Sequence, residues 1–139
     1  MKGNVAGVLL GYDWQSRRAE GLRTGWLMAR YMRCGCIRLL PGLVRLDEAI
    51  GTVRKYDYYM SNIAVYPAWR GKRVGGALMF HAEAVARQRG LRSISLDVEV
   101  QNAGAINWYN RLGFRVARET VVALGGRSFR FYRMSMPLK

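Results

Sequence analysis

The amino-acid sequence predicts an α/β fold, a mixed central β-sheet flanked by helices, and three observations predict it. Tyr58–Tyr66 alternates and is rich in strand formers. A glycine- and arginine-rich turn, a helical stretch to Arg89 and a second strand-like run, Leu91–Val100, follow it. Such a strand–helix–strand unit needs a parallel crossover, with the helix laid against the sheet. The chain then closes on two strand-like runs, 114–124 and 129–136, about Gly125-Gly126, a two-residue hairpin signal that adds antiparallel strands. The chain has 139 residues, half of them hydrophobic, with no repeat or linker, so one domain over residues 1–139 is expected.

Taken in order, residues 4–12 read as a strand, apolar and β-branched, with a turn after it. Residues 16–33 suggest a helix opened by Ser16 as N-cap, and 43–53 a second, beyond the Pro41-Gly42 break. The long helix before Arg89 repeats Val74, Ala77, Leu78, Ala82 and Val85 on one face, and Gly90 ends it. Ala103–Leu112 makes another helix, closed by Gly113. Trp14, Trp26, Trp69 and Trp108 are read as core or edge packing.

The formal charge of +14, from 23 Lys plus Arg against 9 Asp plus Glu, favours an anionic partner. Because the cations are spread along the chain, the charge leaves nucleic acid, a ribosome surface and a phosphorylated cofactor all open. No run approaches the roughly 20 apolar residues of a membrane span, so no membrane partner is expected. Cys34 and Cys36 are too close for an unstrained disulfide and lack further zinc ligands. They read as reduced, buried thiols of a cytoplasmic protein, and no metal is expected.

The segment Arg70-Gly71-Lys72-Arg73-Val74-Gly75-Gly76-Ala77 carries the chemistry. It lies where a helix begins, so its leading N–H groups lack helical partners and the helix dipole is positive there. Glycines bring that backbone close to a ligand, and the flanking cations add charge, which together suit a diphosphate. The Gly-Lys-Ser/Thr ending of a nucleotide-triphosphate loop is absent, and so is the G-x-G-x-x-G of a dinucleotide site. A nucleotide-dependent ATPase or kinase is therefore disfavoured.

Arg70–Gly75 resembles the pyrophosphate loop of the GNAT acetyltransferases, Gln/Arg-x-x-Gly-x-Gly/Ala, with Arg73 in place of the first glycine. Asn102 to Phe114, NAGAINWYNRLGF, resembles the same family's Asn-x-x-Ala-x-x-x-Tyr-x-x-x-Gly-Phe pattern. The resemblance implies a single-domain GNAT-like fold in which acetyl-CoA is the co-substrate. Arg70, Gly71, Lys72, Arg73, Val74, Gly75, Gly76 and Ala77 would hold its diphosphate. The backbone of Ile63, Ala64 and Val65 would flank the pantetheine, and Asn102 and Ala105 would meet the cofactor arm. Tyr109 would protonate the leaving thiolate, a role that a positioned hydroxyl can fill. Asp97 stands where some relatives carry a glutamate base. Glu99 shares its face of the strand, and Asp57 and Ser61 are further candidates. His81 falls near the apolar stripe of the cofactor helix, against the sheet or at a seam, away from the acyl group.

The resemblance is strong over the C-terminal two-thirds. It implies that the first strand and helices of the usual fold are missing, which would expose a sheet edge and favour a homodimer. The expected activity is acetyl transfer to a primary amine: a protein N-terminus, a lysine or a small-molecule amine. The alternative is a non-catalytic CoA-binding module, or a basic one associated with nucleic acid or the ribosome.

Overall fold

A computed structural model describes residues 5–17, 52–124 and 126–139. The helices expected over 16–33 and 43–53 fall almost wholly outside these residues, as do Trp26, Cys34 and Cys36. Among the described residues five strands form one mixed sheet: β1 (Gly7–Tyr12), β2 (Asp57–Val65), β3 (Ser93–Glu99), β4 (Arg115–Leu124) and β5 (Arg127–Pro137). Their order across the sheet is β1-β2-β3-β5-β4. A 3-10 turn, Pro67–Trp69, and helix α1 (Val74–Gln88) connect β2 to β3, and helix α2 (Ala103–Arg111) connects β3 to β4. Among the described strands only β2 and β3 run parallel, as a crossover through α1 requires.

The 2.0-residue period of β3 divides the sheet into two faces. Ile94, Leu96 and Val98 point into the core with Met134 and Met136 of β5, Tyr58 and Met60 of β2, and Phe114. Helix α1 seats Met79, Ala82 and Ala86 on that surface, and α2 adds Tyr109. The buried stripe of α1 thus differs from the expected one: Ala77 is exposed, and Met79 and Ala86 are covered instead. Phe114, Ile94 and Met134 are wholly buried. Burial of such side chains is worth roughly 1.5–3 kcal/mol each.

The opposite face is polar and satisfied from within. The carboxylate of Asp57 accepts hydrogen bonds from the hydroxyls of Ser93 (2.8 Å) and Ser95. Arg133 grips Asp97 with two bonds of 2.8 Å and reaches the carbonyl of Thr52 at 2.6 Å.

Two details refine the expected boundaries. The turn of helix after β1 begins at Trp14 and is capped by Asp13, not by Ser16, whose N–H donates to the Asp13 carboxylate at 2.8 Å. Burial alone would raise the pKa of Asp13, but hydrogen bonds from Ser16 and Arg89 hold it below its ordinary value. The hairpin closes with Leu124 opposite Arg127, and Gly126 at φ 74° supplies the left-handed residue the tight turn needs.

Candidate functional site

The cleft begins with a register slip. In the β1–β2 pairing Leu10 faces Asn62 while Gly11 faces Met60, which leaves Ser61 as the extra residue of a bulge. A bulge bends its strand. The bend falls where β2 leaves β3: the parallel pairing covers only Asp57–Tyr59 against Ser93–Ser95. Past that point β2 continues to Val65 and β3 to Glu99 without pairing to each other. The slip also reverses the side-chain phase, so that Tyr58 and Met60 before it and Ile63 after it all pack toward the core.

Into this parting open the N-termini of both helices. Arg73, the residue before α1, has φ 63° and ψ 10°, a left-handed conformation that no other non-glycine residue adopts among those described. No side chain caps α1, and no acid sits in its first turn. The first helical bond runs from the Ala77 N–H to the Arg73 carbonyl, so the amides of Val74, Gly75 and Gly76 have no protein partner among the described residues. Gly71, at φ 74°, has no atom within 4 Å of where a Cβ would stand. At Gly75 a Cβ would lie 3.2 Å from the Trp108 ring, which explains a glycine there. The second helix is closed more conventionally, its Ala105 N–H donating to the Asn102 side chain at 3.1 Å.

The resulting cavity has a volume of about 890 Å³. It runs from Trp69, Arg70, Gly71 and Gly75, past Ile63 and Val65, to Asn102, Ala105 and Tyr109, with Asp97 and Glu99 along one wall. That is within the usual range for a small-molecule site. Tyr109 is 8% exposed and packs on Trp108 and Phe114, with ring centroids 5.1 and 5.6 Å away. Its hydroxyl has no hydrogen-bond partner among the described residues, and burial raises its pKa, so the phenol keeps its proton at neutral pH.

The other expected site residues divide clearly. Lys72, Arg73, Val74 and Ala77 line a separate, more open hollow between the start of α1 and residues 5–7 at β1, and the Lys72 ammonium lies 4.9 Å from the Trp69 ring centre. Gly76 borders neither hollow. Ala64 is exposed and pairs with Val8 of β1. Asp97 has both oxygens engaged by Arg133, and the Tyr59 hydroxyl donates to one of them at 3.0 Å. Burial, with the Asp97 carboxylate second, pushes the Tyr59 phenol far up. Glu99 is exposed at the end of β3. Asp57 lies on the polar face, outside the cavity. Ser61, Asn62 and Gly104 line it without having been assigned a role beyond Ser61's candidacy, and so do Trp69 and Trp108, which sequence reasoning took as packing. The signal for both tryptophans was their adjacency to the two motifs. His81 is exposed on α1, turned to solvent and not against the sheet.

The open glycine Gly71, the unpartnered Gly75 amide, the Arg70 cation and a largely buried phenol along one cleft fit an elongated phosphorylated thioester such as acetyl-CoA. Among the described residues no cluster of His, Cys, Asp or Glu is placed to hold a metal, and no helix is long and apolar enough to cross a membrane.

The GNAT acetyltransferase family model matches residues 3–114. An uncharacterised N-acetyltransferase of Methanocaldococcus jannaschii is 48% identical over 95 residues, which are 64% of this chain and 42% of that protein. Streptothricin acetyltransferase of Streptomyces lavendulae is 46% identical over 55 residues, 40% of this chain and 29% of its own. The chain thus spans less than half the length of these curated relatives. Among solved structures, the ribosomal-protein-S18-alanine N-acetyltransferase of Escherichia coli superposes with a TM-score of 0.53 at 28% identity, over 63% of this chain and 58% of that one. A Salmonella typhimurium protein solved with acetyl-CoA shares the fold over the whole of this chain and 61% of its own, with a TM-score of 0.60 at 23% identity.

Proposed function

The chain belongs to the GNAT acetyltransferase family, which uses acetyl-CoA, and on that premise we propose that it transfers an acetyl group from acetyl-CoA to a primary amine. The observation that carries this reading is the one continuous cavity joining the uncapped mouth of α1 to the Tyr109 hydroxyl between parted strands.

The donor supplies an acetyl group activated as a thioester. The free amides of Val74–Gly76, with the charges of Arg70, Lys72 and Arg73, hold the diphosphate by the attraction of a helix N-terminus for anions. The edge of β2 past Tyr59, left without β3, offers main-chain groups to an extended arm at Ile63 and Val65. The amine nitrogen attacks the carbonyl carbon; a C–N bond forms and the C–S bond breaks. Tyr109, protonated at neutral pH, gives its proton to the departing sulfur. Glu99, exposed on the cavity wall, receives the amine proton through water. Asp97, clamped by Arg133, orders that wall in this reading instead of accepting the proton.

The acceptor class is drawn from the relatives, whose names give an alanine of ribosomal protein S18 and streptothricin as acceptors. A homodimer belongs to the same reading: among the described strands β1 lies at an edge, and Val8 and Leu10 on it are 53% and 58% exposed. A gel-filtration mass of one chain would remove that part alone.

Thiol release from acetyl-CoA over a panel of N-terminal peptides, lysine peptides and small amines tests the activity. Tyr109→Phe is expected to lower kcat about 100-fold with acetyl-CoA affinity unchanged, the scale of a lost general acid. Because burial raises the phenol, wild-type turnover should show no basic decline from this group below about pH 10. Binding of acetyl-CoA without turnover of any amine would favour a CoA-binding module.

A further inference from the structure

Successive residues of a regular strand point to opposite faces, yet Ser61 and its neighbour Asn62 both line the cavity. The register slip between Leu10 and Gly11 permits this, because it leaves Ser61 without a partner on β1. The Asn62 side-chain amide donates to the Ser61 hydroxyl oxygen at 3.1 Å. An oxygen that accepts such a bond still has its own proton to donate. Among the described residues no group accepts the Ser61 proton. A hydroxyl that accepts one hydrogen bond is polarised by it and donates the next more strongly.

The place of Ser61 along β2 indicates what would accept that bond. In the acetyl-transfer reading, on which this inference rests, the cofactor's diphosphate lies at the mouth of α1 and its arm runs down β2 past Val65 and Ile63. At about 3.3 Å per residue, Ser61 lies about 13 Å beyond Val65 along the strand. It is also the cavity-lining residue of β2 nearest the last pairing with β3, Tyr59 against Ser95. The parting of the strands closes there, so an arm entering from the mouth brings its acyl group to that end. When an amine adds to a thioester, the carbonyl oxygen gains a negative charge, which a donor fixed in advance stabilises. Tyr109 and Glu99 already have other tasks in this reading, with the sulfur and the amine proton.

We propose that Ser61 is a further catalytic residue, whose hydroxyl donates to the oxyanion of the tetrahedral intermediate, and that Asn62 is the residue that positions it. As the amine nitrogen bonds to the carbonyl carbon, the C=O pair moves onto oxygen and the Ser61 hydroxyl holds it without giving up its proton. The pair then re-forms the C=O bond, the C–S bond breaks, and the sulfur takes its proton from Tyr109.

Thiol release by the full chain, with the amine of the panel that reacts fastest, tests the proposal. Ser61→Ala is expected to lower kcat about 100-fold, with the KM and calorimetric Kd for acetyl-CoA changed less than about twofold. Ser61→Thr, which keeps a hydroxyl and suits a strand, should recover most of the loss. Asn62→Ala should lower kcat about fivefold, as for a lost polarising bond. The infrared carbonyl band of isotope-labelled acetyl-CoA should lie at lower frequency on the wild type than on Ser61→Ala, a difference that a merely structural role would not produce. Thermal melts followed by circular dichroism check that each variant is folded. Turnover by Ser61→Ala within about twofold of wild type, or a carbonyl band unmoved by the substitution, overturns the proposal and leaves acetyl transfer standing. A wild type that binds acetyl-CoA and releases no thiol with any amine overturns both.

Discussion

Arg73 occupies a left-handed backbone position that an L-residue reaches at a cost of roughly 1–2 kcal/mol, and the pyrophosphate motif has glycine at this position. Arg73→Gly is therefore expected to raise the melting temperature by about 3 °C. It should also raise the KM for acetyl-CoA through the lost charge. Unchanged stability would mean that the strain is relieved elsewhere. Asp57 offers a test of opposite character. Burial raises its pKa in the fold even though Ser95 and Ser93 donate to it. A group bound more tightly to its proton in the folded state contributes stability in full below its unfolded pKa of about 3.9 and loses it as pH rises through the folded value. The melting temperature of Asp57→Asn minus that of wild type should accordingly grow between about pH 4 and pH 7. A difference flat in pH would show that Asp57 is not penalised by burial.

At the scale of elements, the sequence announced what repeats and concealed what interrupts. The strand at 58–66, the helix ended by Gly90 and the hairpin at Gly125-Gly126 were legible because period and turn chemistry agreed. The parting of β2 from β3 was not, because it follows from a bulge at Ser61, and a register slip depends on the partner strand. The buried stripe of α1 keeps Ala82 but adds Met79 and Ala86 and loses Ala77 for a similar reason: how the helix is docked on the sheet is left open by sequence spacing. Residues joined to a motif, such as Tyr109 and Gly75, were legible as candidates and line the cavity, whereas the commitment of Asp97 to Arg133, 36 residues away, was visible only in the fold. Asn102 shows how a motif residue can serve the element first, since its side chain caps α2. Asn102→Ala should lower the unfolding free energy in urea by about 1 kcal/mol, and Asn102→Asp, an equally good cap, should restore it.

For the molecule as a whole, the sheet separates two kinds of order. One face is apolar and packed by helices; the other is held by Asp57 with its serines and by the Arg133–Asp97 pair, each partner less than a tenth exposed at its side chain. Breaking such a buried pair by removing one partner costs about 3–5 kcal/mol, so loss of activity in Asp97→Ala would report unfolding as readily as chemistry. The central claim concerns the other region, the cavity between the parted strands. A calorimetric titration of acetyl-CoA into wild-type protein and into Gly104→Trp tests it most directly. Gly104 lines the cavity and has open space where its Cβ would stand, so an indole can enter the cleft without disturbing the core. The account predicts one acetyl-CoA per chain in the wild type and none in folded Gly104→Trp; equal binding by both proteins would contradict it.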